Sequence, residues 1–151
     1  MIVSEIINRG IRKKSGMIPY VMKGGVPLFL FMIPSDSAYG GSRPSISKGN
    51  VDSGETTEQA AIREAEEELG LKRSNIVLGS VRLIWNSTFT GDVDAYDFYV
   101  YVCEVKSSSD FDKPHYETGS VHWLTAEEFE NRGRRIHVKI VNTANELIMG
   151  E

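Results

Sequence analysis

Glu64, Glu67 and Glu68 lie close together in the chain, in the run Arg63-Glu64-Ala65-Glu66-Glu67-Glu68. At about 100° per residue on a helix, the three fall within one arc of roughly 100°. Such an arrangement is locally unfavourable. Glu64 and Glu68 are like charges at i,i+4, which costs a few tenths of a kcal/mol. Glu67 and Glu68 stand in the last turn, where the helix dipole disfavours negative charge. Glu66 adds charge on another face, and Arg63 is the one nearby compensation. A solvated acidic face is one reading. The other is a binding site for a hard, oxygen-seeking cation such as Mg²⁺, because local rules broken together tend to mark function. The carboxylates alone leave the two readings open.

The flanking sequence predicts the elements that must hold these groups. Thr56 to Leu69 reads as a helix. Thr56 and Gln59 form a capping box at its start and Gly70 a stop at its end. Ala61, Ile62, Ala65 and Leu69 form its apolar stripe, expected to oppose the carboxylate face. Ile18 to Met22 and Leu28 to Ile33 read as strands joined by a turn at Lys23-Gly24-Gly25. Ser35 to Pro44 is dense in breakers and reads as a loop. Val77 to Trp85, Phe98 to Val105 and Val121 to Leu124 read as strands, with a loop over Ser107 to Thr118. Thr125 and Glu128 make a second capping box. Val138 to Ile148 reads as a terminal helix, and Ile2 to Ile11 as a short strand or frayed helix. The order predicts a mixed α/β architecture with helices packed on a sheet.

The spacing around the helix is specific. From Gly49 the chain runs GNVDSGETTEQAAIREAEEELGL. Gly49 is followed after five residues by Glu55, and after seven more by Arg63-Glu64-Ala65-Glu66-Glu67-Glu68-Leu69-Gly70-Leu71. This resembles the Nudix box, G-x5-E-x7-R-E-U-x-E-E-x-G-U with U apolar, and matches every fixed position. Ala65 is smaller than the usual apolar residue at its position, and Ser47 stands where a proline often precedes Lys-Gly. The resemblance implies a Nudix-type α/β/α sandwich with a mixed sheet and the box as loop-helix-loop. It extends over roughly residues 15 to 150, so that residues 1–151 form a single domain.

The resemblance also implies roles. Glu64, Glu67 and Glu68, joined by the carbonyl of Gly49, would hold Mg²⁺, with Mn²⁺ as a substitute. Arg63 would hold the carboxylates by hydrogen bonds, and Glu55 would support the loop-helix geometry or an outer-shell water. Gly49, Gly54 and Gly70 would permit turns. A general base is needed to deprotonate the attacking water. By resemblance it is a box glutamate or one from a later loop, where Glu117 stands. Tyr39, Trp85 and Phe89 are candidates for base stacking, and Arg43, Lys48 and Arg82 for phosphate contact. His115, His122 and His137 are scattered, with no spacing of a histidine metal site.

Composition bounds the partners. A formal net charge of −4 argues against broad binding to nucleic acid. The one cysteine, Cys103, allows no intramolecular disulfide, and its apolar strand setting offers no base for a catalytic thiol. No apolar run approaches the roughly 18 residues needed to span a bilayer, and no leader pattern is evident, so a cytoplasmic protein is expected. The expected reaction is Mg²⁺-dependent hydrolysis of the diphosphate linkage in a nucleoside diphosphate joined to another moiety. ADP-ribose, dinucleoside polyphosphates, dinucleotide cofactors and nucleoside triphosphates all remain open as substrates. The alternative is a non-catalytic Nudix-like nucleotide-sensing module, although such modules usually lose box carboxylates that are kept here. A decapping activity and the isomerase branch of the family fit less well, for want of a basic patch and of extra catalytic groups. The number of metal ions and the oligomeric state, a homodimer among the options, are not set by these features.

Overall fold

In the computed structural model, residues 12–90 and 95–150 are described; the expected segment Ile2 to Ile11 lies outside them. The elements are β1 (Arg12–Lys23), β2 (Val26–Pro34), β3 (Ser47–Asn50), α1 (Thr57–Leu69), β4 (Arg82–Thr90), β5 (Ala95–Glu104), β6 (Thr118–Leu124), α2 (Ala126–Arg132) and α3 (Val138–Met149). The strands form one mixed sheet in the order β4-β5-β1-β2-β6, with β3 also paired to β1. β1 runs parallel to β5, from Arg12 opposite Tyr96 to Tyr20 opposite Glu104. The other pairings are antiparallel.

β1 is the axis of the sheet. Its first half pairs with β3, at Lys14 to Met17, and its second half with β2, at Tyr20 to Lys23. Pro19 falls in the gap between these two ladders. A proline lacks the N–H that a central strand uses, and this gap has no ladder partner on the β2/β3 side. The β1–β2 hairpin turns through Gly24 and Gly25, whose φ values are 60° and 83°, the left-handed pair that tight hairpins favour.

Period-two alternation splits the core into two layers. Ile18, Phe29, Phe31, Phe98, Val100 and Val102 face α2 and α3, where Phe129, Ile140, Val141 and Ala144 complete the packing. Met17, Leu30, Met32, Tyr101 and Cys103 face α1, through Ala61, Ala65 and Leu69. Phe29, Phe31, Phe98 and Phe129 are fully buried, each stabilising the fold by roughly 1.5–3 kcal/mol. The result is the expected sandwich, with helices on both faces of the sheet.

Element boundaries differ from the sequence expectation in places. β1 and β2 are longer than predicted because they extend into the hairpin and along β5. The strand expected from Val77 begins only at Arg82. Ahead of it, residues 73–75 form a 3-10 turn, held by Asn75, whose Nδ2 donates to the carbonyls of Ser107 (2.8 Å) and Asp110 (3.0 Å). A second 3-10 turn, Ser37–Tyr39, interrupts the breaker-rich loop, with Asp36 accepting from the Ala38 N–H. Both predicted capping boxes are formed, at Thr56/Gln59 and Thr125/Glu128. Gly70 ends α1 in the left-handed conformation, φ 75°, and a Cβ there would collide with the Asp112 carbonyl.

One buried polar residue links the two halves. His137, fully buried, accepts a hydrogen bond at Nδ1 from the Ile46 N–H (3.1 Å). The ring proton therefore sits on Nε2, which has no partner among the described residues. Burial, with Lys48 and Arg134 nearby, holds the imidazole pKa well below its usual value. The unfolded chain then binds the extra proton once pH falls below about 6.5, so stability is lost as pH falls through that value. His137→Gln keeps an acceptor but cannot titrate. Its urea midpoint should fall less than that of the wild type between about pH 7.5 and 5.5. Equal falls in the two proteins would mean that His137 is not the source.

Candidate active site

The centre of the box is Arg63. Its Nε donates to Glu55 Oε2 (2.7 Å) and its Nη2 to Glu55 Oε1 (3.1 Å), a two-point grip of the kind a guanidinium makes with a carboxylate. Nη1 donates to Glu64 Oε1 (2.9 Å), and Nη2 also reaches the carbonyl of Asn50 (3.0 Å). Glu67 Oε1 lies 3.6 Å from Nη1. Glu55 accepts in addition from the Asp52 N–H (2.9 Å). Arg63 and these hydrogen bonds hold the Glu55 carboxyl below the usual range, and Glu55 in turn strengthens the charge on Arg63. One side chain therefore ties the loop after β3 to the first half of α1.

The three glutamates do not stand on a face opposite the buried one, as the sequence suggested. Ala60, which the helical wheel sets between Glu64 and Glu67, is fully buried, as are Ala61 and Ala65. The carboxylate arc overlaps the arc that packs on the sheet, and the side chain of Glu64 is only 13% exposed. Small alanines let α1 approach β1 and β3 closely enough for Glu64 and Glu68 to be tucked against β3. Glu68 Oε1 accepts the Lys48 N–H (3.0 Å). The Glu64 carboxylate lies where a Cβ on residue 49 would be. Gly49 is extended strand rather than a turn, and glycine is required there because of that approach. Glu66 points elsewhere and is paired with Arg73 at 3.2 Å, a compensation the sequence reading did not anticipate.

Packing the acids together has an electrostatic cost. Burial, with Glu64 beside it, pushes the Glu68 carboxyl up to about 7. Glu64 is also raised, chiefly by burial, with Arg63 opposing and Glu67 and Glu117 adding to the rise. Burial and the neighbouring cations Arg134 and Lys14 bring Lys48 down to about 8, against the pull of Glu68 and Glu64.

The loop from residue 106 to 117 is sewn to the end of α1. His115 N–H donates to the Glu67 carbonyl (2.8 Å), Thr118 Oγ1 to that of Glu68 (2.7 Å) and Asp112 N–H to that of Gly70 (2.7 Å). These bonds satisfy carbonyls that a helix end leaves unpaired. They also carry Glu117 toward the box, where its backbone carbonyl accepts from Ser35 N–H (2.9 Å).

Beside the glutamates opens a cavity of about 510 Å³, whose walls include Tyr39, Lys48, Glu68, Tyr116, Glu117 and Arg134. Of the residues proposed from sequence for substrate contact, Tyr39 and Lys48 line it. Arg43 is exposed and outside its lining. Trp85 lies against the α2/α3 layer of the core, its Nε1 donating to Ser87 Oγ (2.9 Å). A register shift in β4 between Leu83 and Trp85 accompanies that placement. Phe89 packs in the same layer against Tyr96 and Phe98. Tyr116 and Arg134 were missed. Each stands in a loop with no periodic pattern to mark it, and only the charged pair Arg134-Arg135 offered any signal.

The donor chemistry fits Mg²⁺: every candidate group is a hard oxygen. Glu64 and Glu68 each keep a second carboxylate oxygen beyond the one bound by Arg63 or Lys48. As the side chains stand, no three acids, histidines or cysteines among the described residues close on a single point. Glu67, 40% exposed, has the most freedom to turn inward.

The fold and box can be set beside known proteins. No curated protein matches the chain. Among solved structures, the C. elegans Ap4A hydrolase binary complex is similar, with a TM-score of 0.76 and 18% identity, covering 93% of this chain and 100% of that one. The NUDIX domain of Shewanella oneidensis NrtR complexed with ADP ribose aligns at a TM-score of 0.73 and 12% identity, over 98% and 99% of the two chains. The M. smegmatis Nudix hydrolase RenU aligns at 0.72 and 17%, over 91% and 87%. Among the described residues no helix is long and apolar enough to cross a membrane. The model of the NUDIX domain matches residues 19–143, and with the box intact the chain belongs to the Nudix family.

Proposed function

We propose that this chain hydrolyses, with Mg²⁺ (or Mn²⁺ in its place), the diphosphate linkage of a nucleoside diphosphate joined to another moiety. The observation that carries the proposal is the clamped box. Arg63 grips Glu55 and Glu64, the Lys48 N–H holds Glu68, and a cavity large enough for a nucleotide opens alongside. The Ap4A hydrolase and the ADP-ribose-bound NrtR domain, similar in fold, support a ligand of this class. The reading is of a small-molecule enzyme of the cytoplasm, without a nucleic-acid partner and without a stated oligomeric order.

Glu64, Glu67 and Glu68, with the Gly49 carbonyl, would hold the cation. When bound, Mg²⁺ neutralises diphosphate charge and polarises the P–O bonds. The chain's own residues supply the rest. Arg63 fixes Glu64 by a charge-assisted hydrogen bond, so the carboxylate loses little freedom on binding. A carboxylate at the cavity, Glu117 or one of the box glutamates, takes the proton of the attacking water. The water oxygen bonds to phosphorus, the bridging P–O bond breaks, and two phosphate-bearing products leave.

A panel of ADP-ribose, dinucleoside tri- and tetraphosphates, FAD, NADH and nucleoside triphosphates, with Mg²⁺ or EDTA and chromatographic detection, tests the reaction. Cleavage of one class that EDTA abolishes is expected. Folded protein that binds Mg²⁺ yet turns over nothing would instead fit the nucleotide-sensing alternative.

Glu67→Gln and Glu68→Gln should each lower kcat by orders of magnitude while the fold persists, since both remove a buried or clustered charge rather than a packing contact. Circular dichroism reads the fold and kinetics the loss. Full activity in both variants would sink the metal-site reading.

Gly49→Ala tests the close approach. The added methyl would displace the Glu64 carboxylate, so Mg²⁺ binding, read by calorimetry, should weaken at least tenfold. Unchanged affinity would show that Glu64 can retreat and still bind.

A further inference from the structure

Two adjacent arginines in the turn between α2 and α3 are used differently. Arg135 spends its guanidinium on carbonyls of the preceding helix end, Phe129, Glu130 and Gly133. Arg134 spends its head on nothing: among the described residues it makes no side-chain hydrogen bond and no ion pair. Its backbone is nevertheless pinned on both sides. The Arg134 N–H donates to the Pro44 carbonyl (2.8 Å), and its carbonyl accepts the His137 N–H (3.0 Å). The side chain therefore starts from a fixed point and lines the cavity, with Nη1 3.9 Å from where a Cβ on Gly40 would sit, beside Tyr39.

A half-buried guanidinium without a partner is costly. Lys48 lines the same cavity, also outside any ion pair; the two cations repel each other there, with the carboxylates of Asp36, Glu68 and Glu117 in the same walls but none of them bonded to either head. Both would be relieved by an anion, and the planar fork of Arg134 suits phosphate oxygens in particular. The proposed reaction already uses Mg²⁺ and the box glutamates for the diphosphate that is cut. Two further cations exceed what a two-phosphate substrate requires.

Building on the proposed function, we infer that Arg134, with Lys48, forms a second phosphate subsite in the cavity. The enzyme then selects substrates with a chain of three or more phosphates over those with two. Tyr39, next to Gly40 and 82% exposed, stands beside this subsite, where the base of such a substrate can stack.

The test has two arms. In the first, Arg134→Gln and Arg134→Lys are compared with wild type on a dinucleoside tetraphosphate and on ADP-ribose. Arg134→Gln should lower kcat/KM on the tetraphosphate about tenfold or more, mainly through KM, with under about threefold loss on ADP-ribose. Arg134→Lys should recover part of the loss. In the second, inorganic tripolyphosphate and pyrophosphate are titrated calorimetrically in EDTA. Wild type should bind tripolyphosphate more tightly, and Arg134→Gln should lose about tenfold of that affinity. This arm needs no turnover, so it reads the subsite even if the proposed reaction fails. Equal tripolyphosphate affinity in wild type and Arg134→Gln would overturn the inference, as would equal kinetic losses on both substrates. The Arg134 head makes no contact that folding needs, so thermal melting of the variants should match wild type. Should Arg134→Gln melt early, Lys48→Gln in the same binding arm decides, with the same tenfold loss expected.

Discussion

Removing Arg63 would leave the box with several acids and no frame. Its guanidinium joins five partners that come from separate pieces of chain: Asp52 and Glu55 in the loop, Asn50 at the end of β3, and Glu64 and Glu67 on α1. Each acid alone would be repelled by its neighbours. Together with a planar cation that offers five donors they become a rigid lattice. The Glu55 grip is the tightest of these contacts, and it involves a residue with no expected contact to substrate. The site is thus built outward from a structural ion pair, with Glu64 and Glu67 drawn to the same guanidinium and Glu68 held separately by the Lys48 N–H.

That frame works because α1 lies close to the sheet. Alanine at 60, 61 and 65 removes side-chain bulk where the helix meets β1 and β3. Ala65, the mild departure from the usual box pattern, belongs to this close contact. The same closeness buries Glu64 and Glu68 enough to raise their carboxyls. The resting acids are destabilised, and a divalent cation held there, as proposed, would relieve them. Binding strength at such a site comes partly from repulsion already present in the fold.

Much of this was legible beforehand. The helix and both capping boxes were readable because caps are local: Thr56 and Gln59 meet three residues apart whatever surrounds them. The box glutamates were readable because their spacing is fixed by one helix. The direction they face was not. A helical wheel cannot show that Ala60, set among acids on the wheel, is fully buried. The cavity was mostly illegible for a related reason. Its walls come from loops far apart in sequence, with Tyr39, Tyr116 and Arg134 brought together only by the β2–β6 ladder and the turn after α2. Trp85 looked available as an aromatic near the box, but on a strand the face is decided by register, and a shift of one residue sends a ring to the other layer.

The parallel pairing of β1 with β5 sets a timetable for the molecule's making. Tyr20 and Glu104 are neighbours in the sheet although about eighty residues lie between them. Contacts of such long range form late, because the entropy of closing a large loop must be met before they give anything back. β3, which holds Gly49 and Lys48, rests on β1. During synthesis β1, β3 and the acidic helix all emerge well before β5, which pairs with the other edge of β1. The Arg63 frame, drawn from residues 50 to 67, has all its partners by then, whereas the cavity beside it, walled by Tyr116, Glu117 and Arg134, is complete only when the last third of the protein has arrived.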